Sequence, residues 1–333
     1  MTTTEYSEAV RRFPFPFPKD QYRYSTNLEP AGTVTITPVG EWGARQVDID
    51  ERYEVELVER SRILVQDPSR YQCLAHMAPA AWDAMLTLMR ELAVGYPEQM
   101  SLHRTGTQWH WRNTRLGIDT TFVLGDGSTL PCPPLRFIAD QVQEDIVLLD
   151  QREGQLWGDA GVVTFAADWS IAFDCGMSFL QIHGPVPRVH TERVITRAHD
   201  FLLRLQPDRS YRRTNWTLTV DGKLDTSTER YPEWGRDRRT LAEGPLDDVG
   251  ARLYLRVEVQ HLIRLAASGA VMFLIRTYML PLRDVVTVPE WGRRLHAVLV
   301  KLPQDMADYK GLTRTREPAV RWLAGQGMAT MAT

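Results

Sequence analysis

The ten residues from Tyr211 to Val220 alternate strictly between two kinds of side chain. A period of two residues is that of a β-strand, in which successive side chains point to opposite faces of a sheet. The stretch therefore predicts a strand with one apolar and one largely polar face. The apolar set is Trp216, Leu218 and Val220, and the other set is Tyr211, Arg213, Asn215 and Thr217.

A second stretch, from Val271 to Leu280, has the same period. Arg276 and Tyr278 fall on one face and Phe273 and Ile275 on the other. Strands and helices follow one another without a regular βαβ alternation, which favours an α+β fold with an antiparallel sheet flanked by helices. Helices are predicted over 79–93, 135–149, 192–205, 252–265 and 295–309, and a charged loop over 231–248.

Composition excludes several classes of protein. The formal net charge of −3 gives no reason to expect nucleic acid or an anionic membrane as a partner. No apolar run reaches the roughly 18 residues that a membrane helix needs, and the N-terminus does not look like a signal peptide, so we expect a cytoplasmic protein. The three cysteines are far apart, which excludes a four-cysteine cluster in this chain alone.

The expected organisation is an extended N-terminal strap over residues 1–30, one domain over 31–312 and a tail over 313–333. The strap contains Phe13-Pro-Phe-Pro-Phe-Pro18, which should be extended and lie against the body of the protein.

His183 is the strongest candidate for a metal ligand. It is followed by Gly-Pro-Val-Pro, a run that cannot continue a helix or a central strand, so the imidazole sits on a stiff, irregular segment. Such a histidine suits a metal or haem-iron ligand. His190 is the competing candidate, although it stands among polar and basic residues.

Arg213 with Asn215, and Arg276 with Tyr278, place arginine on two predicted strands. An arginine on a half-buried strand is costly unless it is paired. One interpretation is an ion pair with a carboxylate such as Glu258. The other is a bidentate clamp on an anionic ligand.

An ordered set of short motifs resembles the haem-dependent oxidative N-demethylase family, whose members resemble PAS domains. The motifs are Ile182-His-x-Pro-Val-Pro187, Arg213-x-Asn-Trp216, Leu255-Arg-Val-Glu258, Phe273-x-Ile-Arg-Thr-Tyr278 and Tyr309-Lys-Gly311. The resemblance extends over residues 12–312.

The resemblance implies that the domain over 31–312 is a PAS-like, haem-binding catalytic domain. His183 would be the proximal ligand of a haem b iron. Arg213 and Arg276 would pair with its propionates or line the pocket. Asn215 and Tyr278 would make polar contacts there.

The implied reaction is a haem-dependent, monooxygenase-type oxidation of dimethylamine by O2 to methylamine and formaldehyde. Glu258, Trp216 and Tyr278 are the candidate catalytic residues, because an alkylammonium must be recognised by a carboxylate or an aromatic face. NADPH, FMN and [2Fe-2S] are expected on a partner reductase subunit, and a folate-binding subunit is a further expected partner.

Two other functions stay open at this point. A haem-PAS gas or redox sensor would hold the same iron without turnover. A haem-free interaction subunit would use His183 only to end a turn.

Overall fold

The structure, a computed structural model, describes residues 6–188 and 192–329. Its centre is a sheet of seven strands in the order β1-β10-β11-β12-β8-β9-β4, with every neighbouring pair antiparallel. A three-stranded sheet, β5-β6-β7, and a two-stranded one, β2-β3, complete the β structure of this part of the chain. The strands are β1 (Glu29–Pro30), β2 (Thr35–Thr37), β3 (Gly40–Trp42), β4 (Tyr71–Cys73), β5 (Met100–Thr105), β6 (Gln108–Asn113), β7 (Ile118–Val123), β8 (Asp145–Arg152), β9 (Gln155–Val162), β10 (Tyr211–Val220), β11 (Leu253–Arg264) and β12 (Val271–Pro281).

Helices flank the sheet on both sides, so the predicted α+β class is confirmed. Within the described residues they are α1 (Glu8–Arg11), α2 (Tyr53–Gln66), α3 (Ala78–Gly95), α4 (Pro134–Ala139), α5 (Ile171–Asp174), α6 (Phe179–Ile182), α7 (Val194–Leu203), α8 (Tyr231–Glu243), α9 (Val249–Arg252), α10 (Leu282–Val285), α11 (Pro289–Lys301), α12 (Gln304–Tyr309) and α13 (Arg316–Gly325). Nowhere in 6–188 or 192–329 is a helix both long enough and apolar enough to cross a membrane.

Three of the predicted elements are wrong. The helix predicted over 252–265 is the strand β11, and most of the one predicted over 135–149 is the strand β8, preceded by the short α4. The charged loop predicted over 231–248 contains the helix α8, with proline in its first turn and Trp234, Arg238 and Leu241 buried on one side.

The two faces of the large sheet carry different chemistry. Residues paired across strands share a face: Arg213 is opposite Gln260, and Asn215 is opposite Glu258. We call this the Arg213 face, and its apolar part packs against α6 and α7. The other face, the Arg276 face, is covered by α3 at one end and by α11 and α13 at the other.

The segment Phe13-Pro-Phe-Pro-Phe-Pro18 packs on the Arg276 face without forming a helix or strand. The Phe15 ring stacks on Trp291 at 4.9 Å, and the Phe17 ring meets the edge of Trp216 at 4.9 Å. The division of the chain at residues 30 and 312 stays a prediction.

His261 lies in β11 on the Arg276 face, 2 % exposed, and neither ring nitrogen has a hydrogen-bond partner in the described structure. Burial, reinforced by the charge of Arg212, lowers its pKa to about 3. The unfolded chain takes up a proton near pH 6.5, whereas the folded chain does not. Above pH 6.5 His261 is neutral in both states and does not reduce stability. As the pH falls from 6.5 toward 3, only the unfolded chain gains a proton here, so the free energy of unfolding falls.

We expect the free energy of unfolding to fall by about 2 kcal/mol between pH 7 and pH 5 through His261 alone. Urea unfolding at both pH values should show this loss in the wild type and a smaller loss in His261→Leu. The matched control is His103→Leu at an exposed position. Equal pH dependence of wild type and His261→Leu would contradict the assignment.

Candidate functional site

His183 directly follows the short helix α6. Ser178 caps this helix: its Oγ accepts from the Gln181 amide, while the Gln181 side chain accepts from the Ser178 amide. The His183 Nδ1 lies 2.8 Å from the carbonyl oxygen of Phe179. A carbonyl oxygen only accepts, so Nδ1 carries the proton and donates it. The lone pair therefore lies on Nε2, which has no hydrogen-bond partner among the described residues.

The imidazole of His183 is neutral at physiological pH. Desolvation, together with the charge of Arg213, lowers its pKa to about 4, and the hydrogen bond to the Phe179 carbonyl opposes the shift. The ring is nevertheless half-buried rather than fully buried. His183 therefore keeps some accessible surface and carries an unprotonated ring nitrogen.

Arg213 has no carboxylate partner among the described residues. Burial lowers its pKa, and its Nε is buried with no acceptor. In the described chain it forms no ion pair; Glu258 is the nearby carboxylate whose charge favours the protonated guanidinium. A desolvated guanidinium without a carboxylate partner is costly, so Arg213 has room in its electrostatic surroundings for an anionic group.

Glu258 is held on the Arg213 face by three donors. Its Oε1 accepts from Arg256 Nε at 3.3 Å, and its Oε2 accepts from Gln260 Nε2 at 3.0 Å and from Asn215 Nδ2 at 3.4 Å. Arg256 itself is completely buried and also donates to the Thr277 hydroxyl, so its position is determined. The Glu258 carboxylate is therefore a fixed, compensated acceptor.

Lys310 joins this group from the end of α12. Its Nζ donates to Asn215 Oδ1 at 3.1 Å and to the Trp216 carbonyl at 2.9 Å. Burial, followed by the charge of Arg213, lowers its pKa to about 8, while Glu258 opposes the shift. Sequence reasoning missed this lysine as a site residue, although it stands in the Tyr309-Lys-Gly311 motif.

Two aromatic residues from distant parts of the chain complete the surroundings of Arg213. Burial raises the pKa of Tyr22 to about 12 and also raises that of Tyr309, so both phenols stay neutral. Nearby, Tyr24 OH donates to the Pro187 carbonyl at 2.8 Å. This bond ties residues near the N-terminus to the segment that follows His183.

Arg276 and Tyr278 do not belong to this group. They lie on the Arg276 face, where Arg276 binds Glu56 at 3.0 Å and Asp50 at 2.5 Å. The Tyr278 hydroxyl donates to Asp48 Oδ2 at 2.6 Å. The structure therefore does not bring these two residues together with Arg213 in one pocket, because the sheet separates them.

Trp216 is also on the Arg276 face, paired with Val257 in the sheet. Its ring contacts Phe17, and Lys310 Nζ lies 4.9 Å from its centroid. The indole ring of Trp216 thus already contacts the ammonium of Lys310, so it stabilises this lysine and is not free to bind a second cation on that ring face.

The competing ligand candidate His190 lies outside the described residues. His199, on α7, lies with its ring 6.1 Å from Phe179 and is 5 % exposed. Among the described histidines, His183 thus combines a donated Nδ1 proton, a free Nε2 and accessible surface.

A second histidine–carboxylate group occurs elsewhere. His76 Nε2 lies 2.8 Å from Asp159 Oδ2, and Asp150 completes a set that could hold a metal ion. Arg152, however, forms ion pairs with both aspartates. The guanidinium supplies the positive charge that a cation would bring.

Comparison with known families shows the family to which the chain belongs. Residues 41–320 match the family described as haem-dependent oxidative N-demethylase, alpha subunit-like. The chain belongs to this family. The match covers most of the chain, and it confirms the resemblance carried by the motifs around His183, Arg213 and Glu258.

The residues present fit the haem that the family name implies. Haem iron is commonly held by one histidine nitrogen, and a ligating histidine usually donates its other N–H to a carbonyl or carboxylate. His183 meets both conditions. Haem also carries carboxylates, for which the unpaired Arg213 is a suitable partner. Membership of the haem-dependent oxidative N-demethylase family makes this chain an N-demethylase-like oxidoreductase.

Proposed function

We propose that this chain binds haem b through His183 Nε2 and oxidises a secondary methylamine, with dimethylamine as the simplest substrate. The observation that carries the proposal is the pairing of a neutral histidine, whose Nε2 is free, with a desolvated arginine that has no anion. Membership of the family supports the same cofactor and reaction class.

The overall reaction consumes dimethylamine, O2, two electrons and two protons. It yields methylamine, formaldehyde and water, because one C–N bond is broken and the methyl carbon is oxidised. Bound haem would supply the O2 and electron-transfer chemistry. The electrons come from NADPH through FMN and [2Fe-2S] on a partner reductase subunit, with a folate-binding subunit as a further partner. The words "alpha subunit" in the family description support an enzyme of several subunits.

Glu258 binds the alkylammonium in this proposal. The cation must exchange water for a carboxylate on entering a recess, and Glu258 is the carboxylate that the Arg213 face holds in place. Asn215 donates to Glu258 and accepts from Lys310, so it links the carboxylate that binds the alkylammonium to the cationic side chains of the site. The ammonium must then lose its proton before the amine can be oxidised at its methyl carbon.

This requirement predicts a pH dependence. Formaldehyde release from dimethylamine, driven by NADPH and the partner reductase, should rise from pH 6 to pH 9 as the neutral amine becomes more abundant. Glu258→Gln should weaken amine binding by about 10- to 100-fold, because a charged acceptor is lost. The glutamine oxygen can still accept from Arg256.

The readouts are formaldehyde yield and the change that the amine causes in haem absorbance near 400 nm. The matched control is Glu290→Gln on α11, whose carboxylate pairs with Arg294. A flat profile from pH 6 to 9, or unchanged amine affinity in Glu258→Gln, would contradict the role of this residue. Haem binding without turnover would favour a sensor, and a colourless wild type an interaction subunit.

A further inference from the structure

The site carries two positive charges that the described protein does not neutralise. Neither Arg213 nor Lys310 forms an ion pair with a carboxylate in the described parts of the chain. Burial lowers the pKa of both, and the charge of Arg213 lowers that of Lys310 further. Glu258 contributes at longer range to both, but its direct contacts are with Arg256, Gln260 and Asn215.

The contrast with the opposite face shows that this is unusual in the same sheet. Arg276 lies directly against two carboxylates, those of Glu56 and Asp50. Arg256 has Glu258 and three further acceptors. Arg276 and Arg256 are thus compensated by carboxylates. Arg213 and Lys310 are not, and they lie close enough for the charge of Arg213 to lower the pKa of Lys310, so the two together suit a ligand with two negative charges.

Lys310 has a donor left for such a ligand. An ammonium has three N–H groups. Two are used by Asn215 Oδ1 and the Trp216 carbonyl, which leaves one. Lys310 is half-buried rather than fully buried.

The backbone around Lys310 is fixed as well. The Thr217 hydroxyl donates to the Lys310 carbonyl at 2.9 Å. Gly311 follows with φ +65°, and a side chain there would collide with the Arg238 guanidinium and the Asp168 carboxylate. The turn after α12 therefore holds Lys310 against β10, the strand that carries Arg213.

We propose that Arg213 and Lys310 each bind one carboxylate of a single dianionic ligand. This inference rests on the proposed function, in which the ligand is haem and the two carboxylates are its propionates. Lys310 thereby takes the second anchoring position, which the sequence had suggested for Arg276.

The test compares haem with haem dimethyl ester, in which both carboxylates are blocked. Absorbance near 400 nm and quenching of tryptophan fluorescence report binding to the purified apoprotein. We expect Lys310→Met and Arg213→Met each to weaken haem binding about 10- to 100-fold while leaving ester binding unchanged. The double variant should bind the two molecules equally.

Two further variants separate the role of the charge from a loss of folding. Lys310→Arg keeps the charge and should retain most of the preference for haem over its ester. Lys301→Met removes an exposed lysine of α11 and should behave as the wild type. The thermal unfolding midpoint of each apoprotein checks that the fold is intact.

The outcomes distinguish this inference from the proposed function. A wild type that binds haem, with Lys310→Met equal to it for both molecules, overturns the anchoring role alone. A wild type that binds neither molecule overturns the proposed function and this inference together. Loss of ester binding in Lys310→Met also overturns the inference, because the lysine would then act by something other than pairing with a carboxylate.

Discussion

Replacing His183 with alanine should remove the proposed iron ligand and lower haem affinity by at least about 100-fold. The physical reason is the arrangement at α6: Nδ1 is committed to the Phe179 carbonyl, and the free Nε2 is neutral because desolvation lowers the pKa to about 4. Titration of the apoprotein with haem, followed at the absorbance maximum near 400 nm, measures the change. Formaldehyde production should fall to background in the same variant.

The cavity left by His183→Ala offers a more specific test. Added imidazole can occupy the space of the missing ring, so it should restore the absorbance maximum of the variant without affecting the wild type. His199→Ala is the matched control, because His199 also lies near Phe179 but belongs to α7 and is only 5 % exposed. The sequence left His190 as the competing ligand, and His190→Ala should bind haem normally. Loss of the band in His190→Ala with retention in His183→Ala would overturn the assignment.

Clear periodicity explains which elements could be predicted. The strand over 211–220 has the predicted bounds, and the helix predicted over 79–93 is observed as α3. Both have a regular apolar repeat with recognisable ends, such as Pro79 in the first turn of α3.

The two strands mispredicted as helices have different physical causes. In β11, Leu255, Val259 and Leu262 fit a helical spacing, while Arg256 and Glu258 look as if they should be exposed. In the structure these two bind each other inside the fold, so the strand is buried on both faces. The run from Ile146 to Leu149 has no period at all, and such a run cannot be distinguished from part of a helix by pattern alone.

The candidate site was predictable only where the chemistry is local. His183 is identified by the residues around it, whereas Arg213 and Arg276 look equivalent in the sequence. The face of the sheet on which each arginine lies depends on the register of the strands. Arg213 is opposite Gln260, whereas Arg276 is opposite Val259, the residue just before Gln260 in β11. An offset of one residue moves a side chain to the other face of a sheet. No sequence pattern could therefore show that the sheet separates the two arginines.

Lys310 illustrates a second limit. It bonds Asn215 from 95 residues away in the chain. Neither the composition of α12 nor its spacing suggests a site, and only the packing of α12 against β10 brings the ammonium to Arg213. The part of the site that depends on long-range packing thus had to come from the structure.

Arg276→Met should destabilise the protein by about 3–5 kcal/mol without weakening haem binding in the protein that remains folded. The variant keeps a side chain of similar length but removes the buried cation shared by Glu56 and Asp50, and Glu56 keeps only its ion pair with the exposed Arg52. The Arg276 guanidinium lowers the pKa of Asp50, as expected of a carboxylate that depends on this cation. Burial instead raises the pKa of the nearby Glu144 to about 7. Urea unfolding measures the loss, and haem titration measures affinity.

Two further variants show whether the effect comes from an unpaired buried charge. Adding Glu56→Gln to Arg276→Met should recover part of the stability, because one uncompensated carboxylate is removed. Arg283→Met, just after the same strand, removes an arginine that is 63 % exposed and should change the free energy of unfolding by less than about 0.5 kcal/mol. If Arg276→Met instead kept its stability and lost haem affinity, Arg276 would be a propionate ligand and the separation of the two faces would not describe the site. Intact affinity with reduced stability would leave Arg213 and Lys310 as the cations that meet the ligand.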